Sequence, residues 1–119
     1  MNVDRSDPAD DAYGHDFSDR IRRVLRSSDP ARWPDFTALA SSLNMSESTL
    51  RRRLLAEGQS YQCIKDELRS DRAIAMLRES TESVESIALQ LGYAEPSAFH
   101  RAFRKWTGTR PGSYRSASH

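Results

Sequence analysis

The 119-residue chain is short of the features on which most folds and most enzymes rely. It holds one cysteine, Cys63, so an internal disulfide framework is excluded and a reducing, cytoplasmic setting is expected. No apolar run approaches the roughly 20 residues of a membrane span, and no charged-then-apolar leader suggests export. No stretch alternates polar and apolar residues for long enough to make a strand. A glycine-rich phosphate loop is missing, as is any grouping of nucleophile, base and oxyanion donors, so no enzyme is expected. His15, His100 and His119 have no partner at metal-ligand spacing, and neither a metal nor another cofactor is expected. Cys63 stands beside Ile64, with only Lys65 to activate it, and reads as a small buried residue.

Acid is lacking from one stretch in particular. Net charge is only +1, but residues 1–16 hold five aspartates against Arg5, a local −4 that leaves +5 for the rest. From Ser97 to Arg115 there are five basic residues and no acidic one. A basic face sets the field that a phosphate backbone feels, so a near-neutral total does not exclude nucleic acid. Residues 1–16 show no apolar period and read as a disordered acidic leader or linker remnant, with residues 1–15 dispensable for folding.

What is present is helical period. Phe17, Ile21, Val24 and Leu25 share one face of a first helix, with Asp16 or Ser18 as its cap. Pro34-Asp35 starts a second helix with Phe36, Leu39, Ala40 and Leu43 inward. Ser46 caps a third, which Gly58 closes. Ser60 opens the longest helix, to about Arg78, with Tyr61, Ile64, Leu68, Ala73, Met76 and Leu77 along its apolar stripe. Ser83 caps a fifth helix over Val84–Leu91, and a sixth runs from Glu95 to Thr107 with Pro96 in its first turn. Pro111–Arg115 forms a last short turn.

Two of these segments repeat. Ala88, Leu91 and Gly92 lead into Phe99 and Phe103; Ala40, Leu43 and Asn44 lead into Leu50 and Leu54. Asn44 replaces Gly92 because asparagine is the residue that best tolerates a left-handed backbone after glycine. Ala40 to Leu50 is one residue shorter than Ala88 to Phe99, so an indel lies near the turn. An internal repeat of this kind calls for two helix-turn-helix units, each presenting a basic helix to the major groove of DNA. The expected fold is all-α, with two helix-turn-helix subdomains (residues 17–59 and 80–119) joined by a long central helix (60–79). Phe99, Phe103, Trp106 and Tyr114 read as core. Arg69 and Arg72 read either as pairing within their helix with Asp66, Glu67 and Asp71 or as contacting DNA.

The chain resembles the DNA-binding domain of the AraC/XylS family of bacterial transcription regulators over roughly Phe17 to Arg115. The resemblance rests on Ile87-Ala88 with Gly92-Tyr93, on Phe99-x-Arg101-x-Phe103-Arg104-Lys105, on Gly108-x-x-Pro111-x-x-Tyr114-Arg115, and on Leu68-Arg69-x-x-Arg72-Ala73 with Leu77. It departs at Asn44, at Tyr93, where Phe is commoner, and at Ala94, where a capping Ser or Asp is frequent and Glu95 is the substitute. The resemblance implies double-stranded DNA as partner, RNA polymerase as a second, and two recognition helices, Ser46–Glu57 and Glu95–Thr107. These would enter successive major grooves, roughly 34 Å apart. Base readout is expected from Arg52 and Arg101, then Arg51, Ser48, Ser97 and His100, with Pro96 on the same face. Arg53, Arg104 and Lys105 are expected on phosphate. No membrane and no small-molecule ligand is expected as a partner of this chain.

Overall fold

The computed structural model describes residues His15 to Ser118; most of the expected leader, residues 1–14, lies outside the described residues. Seven α-helices occur among them: α1 (Asp16–Arg26), α2 (Phe36–Ser42), α3 (Glu47–Ala56), α4 (Tyr61–Glu79), α5 (Val84–Gln90), α6 (Pro96–Thr107) and α7 (Pro111–Ser118). A single 3-10 turn, Pro30–Arg32, lies between α1 and α2. No strand occurs among the described residues, so the chain is all-helical as its period suggests.

The helix starts follow from short polar side chains that accept otherwise unpaired amides. Asp35 accepts from Ala38 at 2.8 Å, Ser46 from Thr49 at 3.1 Å, Ser60 from Cys63 at 3.1 Å and Ser83 from Ser86 at 3.0 Å. Two starts differ from expectation. Helix α1 begins at Asp16, and neither Asp16 nor Ser18 caps it. The carboxylate of Glu57, at the end of α3, instead accepts from the amides of Phe17 (3.0 Å) and Ser18 (2.9 Å). Ser18 is fully buried, donating to the His15 carbonyl and accepting from Arg22. At α6, Glu95 occupies the cap position but its carboxylate accepts no capping bond; Pro96, which has no amide hydrogen, removes one of the donors that would need it.

The chain forms two compact units. The first combines the described residues up to Ser27 with Pro34–Lys65; the second combines Ser28–Trp33 with the residues from Asp66 onward. Helix α4 thus gives its first residues to one unit and the remainder to the other. In the first unit Phe17, Ile21, Leu25, Leu39, Ala40, Leu50, Leu54, Tyr61 and Ile64 are buried, each large side chain contributing roughly 1.5–3 kcal/mol. The second unit has a core of Ala73, Leu77, Ile87, Ala88, Leu91, Phe99 and Phe103, with Trp106 and Tyr114 packed against it.

Several inward assignments fail at helix edges. Val24 is 60% exposed, because Phe17, Ile21 and Leu25 already complete the buried line of α1. Leu43 is half-buried and ends α2 as its C-cap. Cys63 is exposed, turned away from the line through Tyr61, Ile64 and Leu68. Arg69 is not an intrahelical partner. Its guanidinium lies 5.1 Å from the Trp33 ring and 5.2 Å from the Tyr93 ring, and its Nε donates to the Leu91 carbonyl at 3.1 Å. Arg72 donates to the Ser28 carbonyl at 3.0 Å. Together these arginines tie the Ser28–Trp33 segment and the α5 end to α4 within the second unit.

Candidate nucleic-acid interface

The two repeats close with the same hydrogen-bond pattern. Asn44 has φ +57° and Gly92 φ +92°. After each, the next amide reaches back to a helical carbonyl: Met45 to Ala40 and Tyr93 to Ala88, both at 3.0 Å. This left-handed stop satisfies the last carbonyls of α2 and α5 and turns the chain into the helix that follows. The indel is then located: one residue separates Asn44 from the cap Ser46, two separate Gly92 from Glu95. The choice of Asn or Gly is also explained. A Cβ at Gly92 would meet the Pro30 carbonyl oxygen at 3.0 Å and the Ala31 Cα at 3.3 Å, and the side chain present at Asn44 is exposed. The 3-10 segment lies close against the second turn.

In the first unit, Leu50 and Leu54 anchor α3, and Thr37 donates to Glu47 at 2.7 Å to tie its start to α2. At 100° per residue, the line opposite these leucines runs through Ser48, Arg52 and Leu55. All three are exposed. Arg51 and Arg53 leave the helix on either side of that line. Arg51 sits over the Phe36 ring at 5.1 Å, and Arg53 over the Phe17 ring at 4.0 Å. Leu55, 63% exposed, has no assignment from sequence, since the Leu50–Leu54 spacing already completes the inward stripe. An apolar tip amid arginines and a serine suits the methyl group of thymine.

In the second unit, Phe99 and Phe103 are fully buried and anchor α6. Phe99 meets Tyr93 at 5.6 Å and Phe103 at 5.7 Å; Phe103 meets Tyr114 edge-on at 5.6 Å. These rings are core, as their spacing suggests. Ser97, Arg101, Arg104 and Lys105 are exposed on the opposite side, and Pro96 is half-buried in the first turn. His100 is half-buried with its ring edge against Phe99 and lines a hollow beside Arg110 and Ser113, so it faces α7 more than it faces outward. Arg115 does not add to the basic face. Its guanidinium donates to the backbone carbonyls of Leu77 and Met76 near the end of α4, of Ser80 just after it, and of Glu82 at 2.6 Å.

Burial raises the Tyr93 phenol above its ordinary value near 10, with Asp66 adding to the rise and Arg69 opposing it by charge and hydrogen bond. Among the described residues, no three His, Cys, Asp or Glu side chains come together to hold a metal ion. No helix among them is long and apolar enough to cross a membrane.

Residues 39–117 match the family model described as a helix-turn-helix domain. The chain is 42% identical over 100 residues to the HTH-type transcriptional regulator VqsM of Pseudomonas aeruginosa, covering 84% of this chain but only 30% of that protein. It is similar to the crystal structure of the transcriptional regulator CdpR from Pseudomonas aeruginosa (TM-score 0.76, 40% identity, covering 82% of this chain and 30% of that one). It is also similar to the DNA-binding domain of the global transcriptional factor AdpA, solved in complex with a target DNA (TM-score 0.71, 27% identity, covering 84% and 89%). The twinned stops, the buried anchors of α3 and α6 and these matches have one reading: the chain belongs to the AraC-type helix-turn-helix family of transcriptional regulators.

Proposed function

We propose that this chain binds double-stranded DNA in a sequence-dependent way and thereby regulates transcription, α3 and α6 each lying in a major groove. The observation that carries the reading is the repeated unit itself: two helices, each started after a left-handed stop, each anchored by two buried residues, each exposing arginine on the opposite face. Arginine grips guanine O6 and N7 with two bonds, so Arg52 and Arg101 are the principal readers. Ser48, Leu55 and Ser97 share their outward lines. Arg51, at the side of α3, meets the sugar-phosphate wall rather than base edges, and His100, turned toward α7, is removed from the readers; Pro96 packs at the start of α6. Arg53, Arg104 and Lys105 hold phosphate, which positions the helices without reading sequence. On one face of the DNA, grooves served in this way lie one turn, roughly 34 Å, apart. RNA polymerase is the second partner.

Selection of duplexes from a random pool by the purified chain tests this directly. A recovered motif of two short blocks centred about 10 base pairs apart is expected. Recovery of unenriched sequence, with binding that salt abolishes for all duplexes alike, would sink the reading.

A further inference from the structure

Three arginines that are scattered in the sequence come together in the first unit. Arg20 and Arg23 lie on α1, and Arg53 on α3. The Arg53 guanidinium stacks 4.0 Å from the centroid of the buried Phe17 ring, and that of Arg20 lies 5.8 Å from the same centroid. All three arginines are exposed and, with Asp16, Phe17 and Glu57, line a hollow of about 400 Å³. Both carboxylate oxygens of Glu57 are engaged by the amides of Phe17 and Ser18, which offsets much of its charge locally. The hollow therefore presents more positive than negative charge, held on a rigid aromatic floor.

We propose that Arg20, Arg23 and Arg53 form a clamp for backbone phosphate on the DNA strand that borders α3. The inference rests on the DNA-binding reading above. Arg53 leaves α3 about 100° around from Arg52, on the side facing α1. The major groove is about 12 Å wide and a helix with its side chains is about 10–12 Å across, so an inserted helix fills it. The outward line of α3 then meets base edges, and its sides meet the sugar-phosphate walls. Arg53 is on such a side, and the Phe17 ring brings Arg20 to the same place. Arg23, one turn beyond Arg20, continues the line of charge along α1. Helix α1 is thus a DNA-contacting element and not only a support for α3.

The test is duplex affinity against salt concentration, on cognate and scrambled DNA, for the wild-type chain, Arg20→Gln, Arg23→Gln, the double variant Arg20→Gln/Arg23→Gln, and Arg20→Lys. The log–log slope should fall by about one unit for each arginine removed, with equal loss of affinity on both duplexes. Arg20→Lys should keep the wild-type slope, since it keeps the charge. Melting temperatures should stay at the wild-type value, because neither side chain is buried. If wild type binds with its normal slope and the double variant keeps that slope, the clamp is refuted and the DNA-binding reading stands. If wild type itself binds no duplex, both are refuted.

Discussion

Arg101 and Lys105 are four residues apart on the exposed side of α6, and the proposed function gives them different roles, base reading and phosphate contact. Arg101→Ala should cost about 1–3 kcal/mol on the cognate duplex and blur preference at one or two base pairs. Lys105→Ala should weaken all sequences alike and lower the salt slope by about one. Titrations on cognate and scrambled duplexes separate the two, and equal loss on every duplex for Arg101→Ala would move that residue to phosphate. Asn44 and Gly92 make a second contrast at the same scale. Asn44→Ala should destabilise by about 1 kcal/mol through its left-handed backbone, and Asn44→Gly should not. Gly92→Ala should cost more than Asn44→Ala, because its Cβ also meets the Pro30 carbonyl at 3.0 Å. Urea unfolding of the three variants checks the order.

Among the elements, α4 depends on its neighbours at its C-terminal end. Arg115 from α7 donates to the Leu77 and Met76 carbonyls in the last turn of α4 and to the Ser80 carbonyl just after it, and its planar fork is suited to several at once. Arg115→Ala should lower stability by about 1.5–3 kcal/mol, with Arg115→Lys recovering only part of it. Unchanged urea stability together with a smaller salt slope would instead assign Arg115 to phosphate. The contact of α4 with the α5 turn carries a pH signature. Because the Tyr93 phenol is raised in the folded chain, its contribution is complete below pH 10 and is lost as pH climbs through the raised value. Tyr93→Phe should remove that alkaline loss, and the difference in stability between the two proteins should therefore change only above about pH 10.

For the molecule as a whole, the repeat implies division of labour. Each unit has its own buried anchors and its own exposed arginine line. Arg52→Ala and Arg101→Ala should each blur a separate block of the selected DNA motif, the blocks about 10 base pairs apart. Sequencing of pools selected by each variant measures this; blurring of the same positions by both would show that the units do not read separate half-sites.

Much of this was legible in the sequence because it depends on local period and local chemistry. The all-helical class, the repeat, the left-handed residue at Asn44, the helix start at Pro34-Asp35, the caps Ser46 and Ser83, and the core role of Phe99 and Phe103 all follow from neighbours within a few residues. Tertiary structure decided what distant residues do for one another. Glu57 caps α1 from about 40 positions away, Arg69 is held between Trp33 and Tyr93, Arg115 closes α4, and Arg20 meets Arg53 on one ring. A long charged side chain has many rotamers and many partners in reach, so its sequence neighbours do not determine which one it takes. The packed helices do, by burying some partners and presenting others.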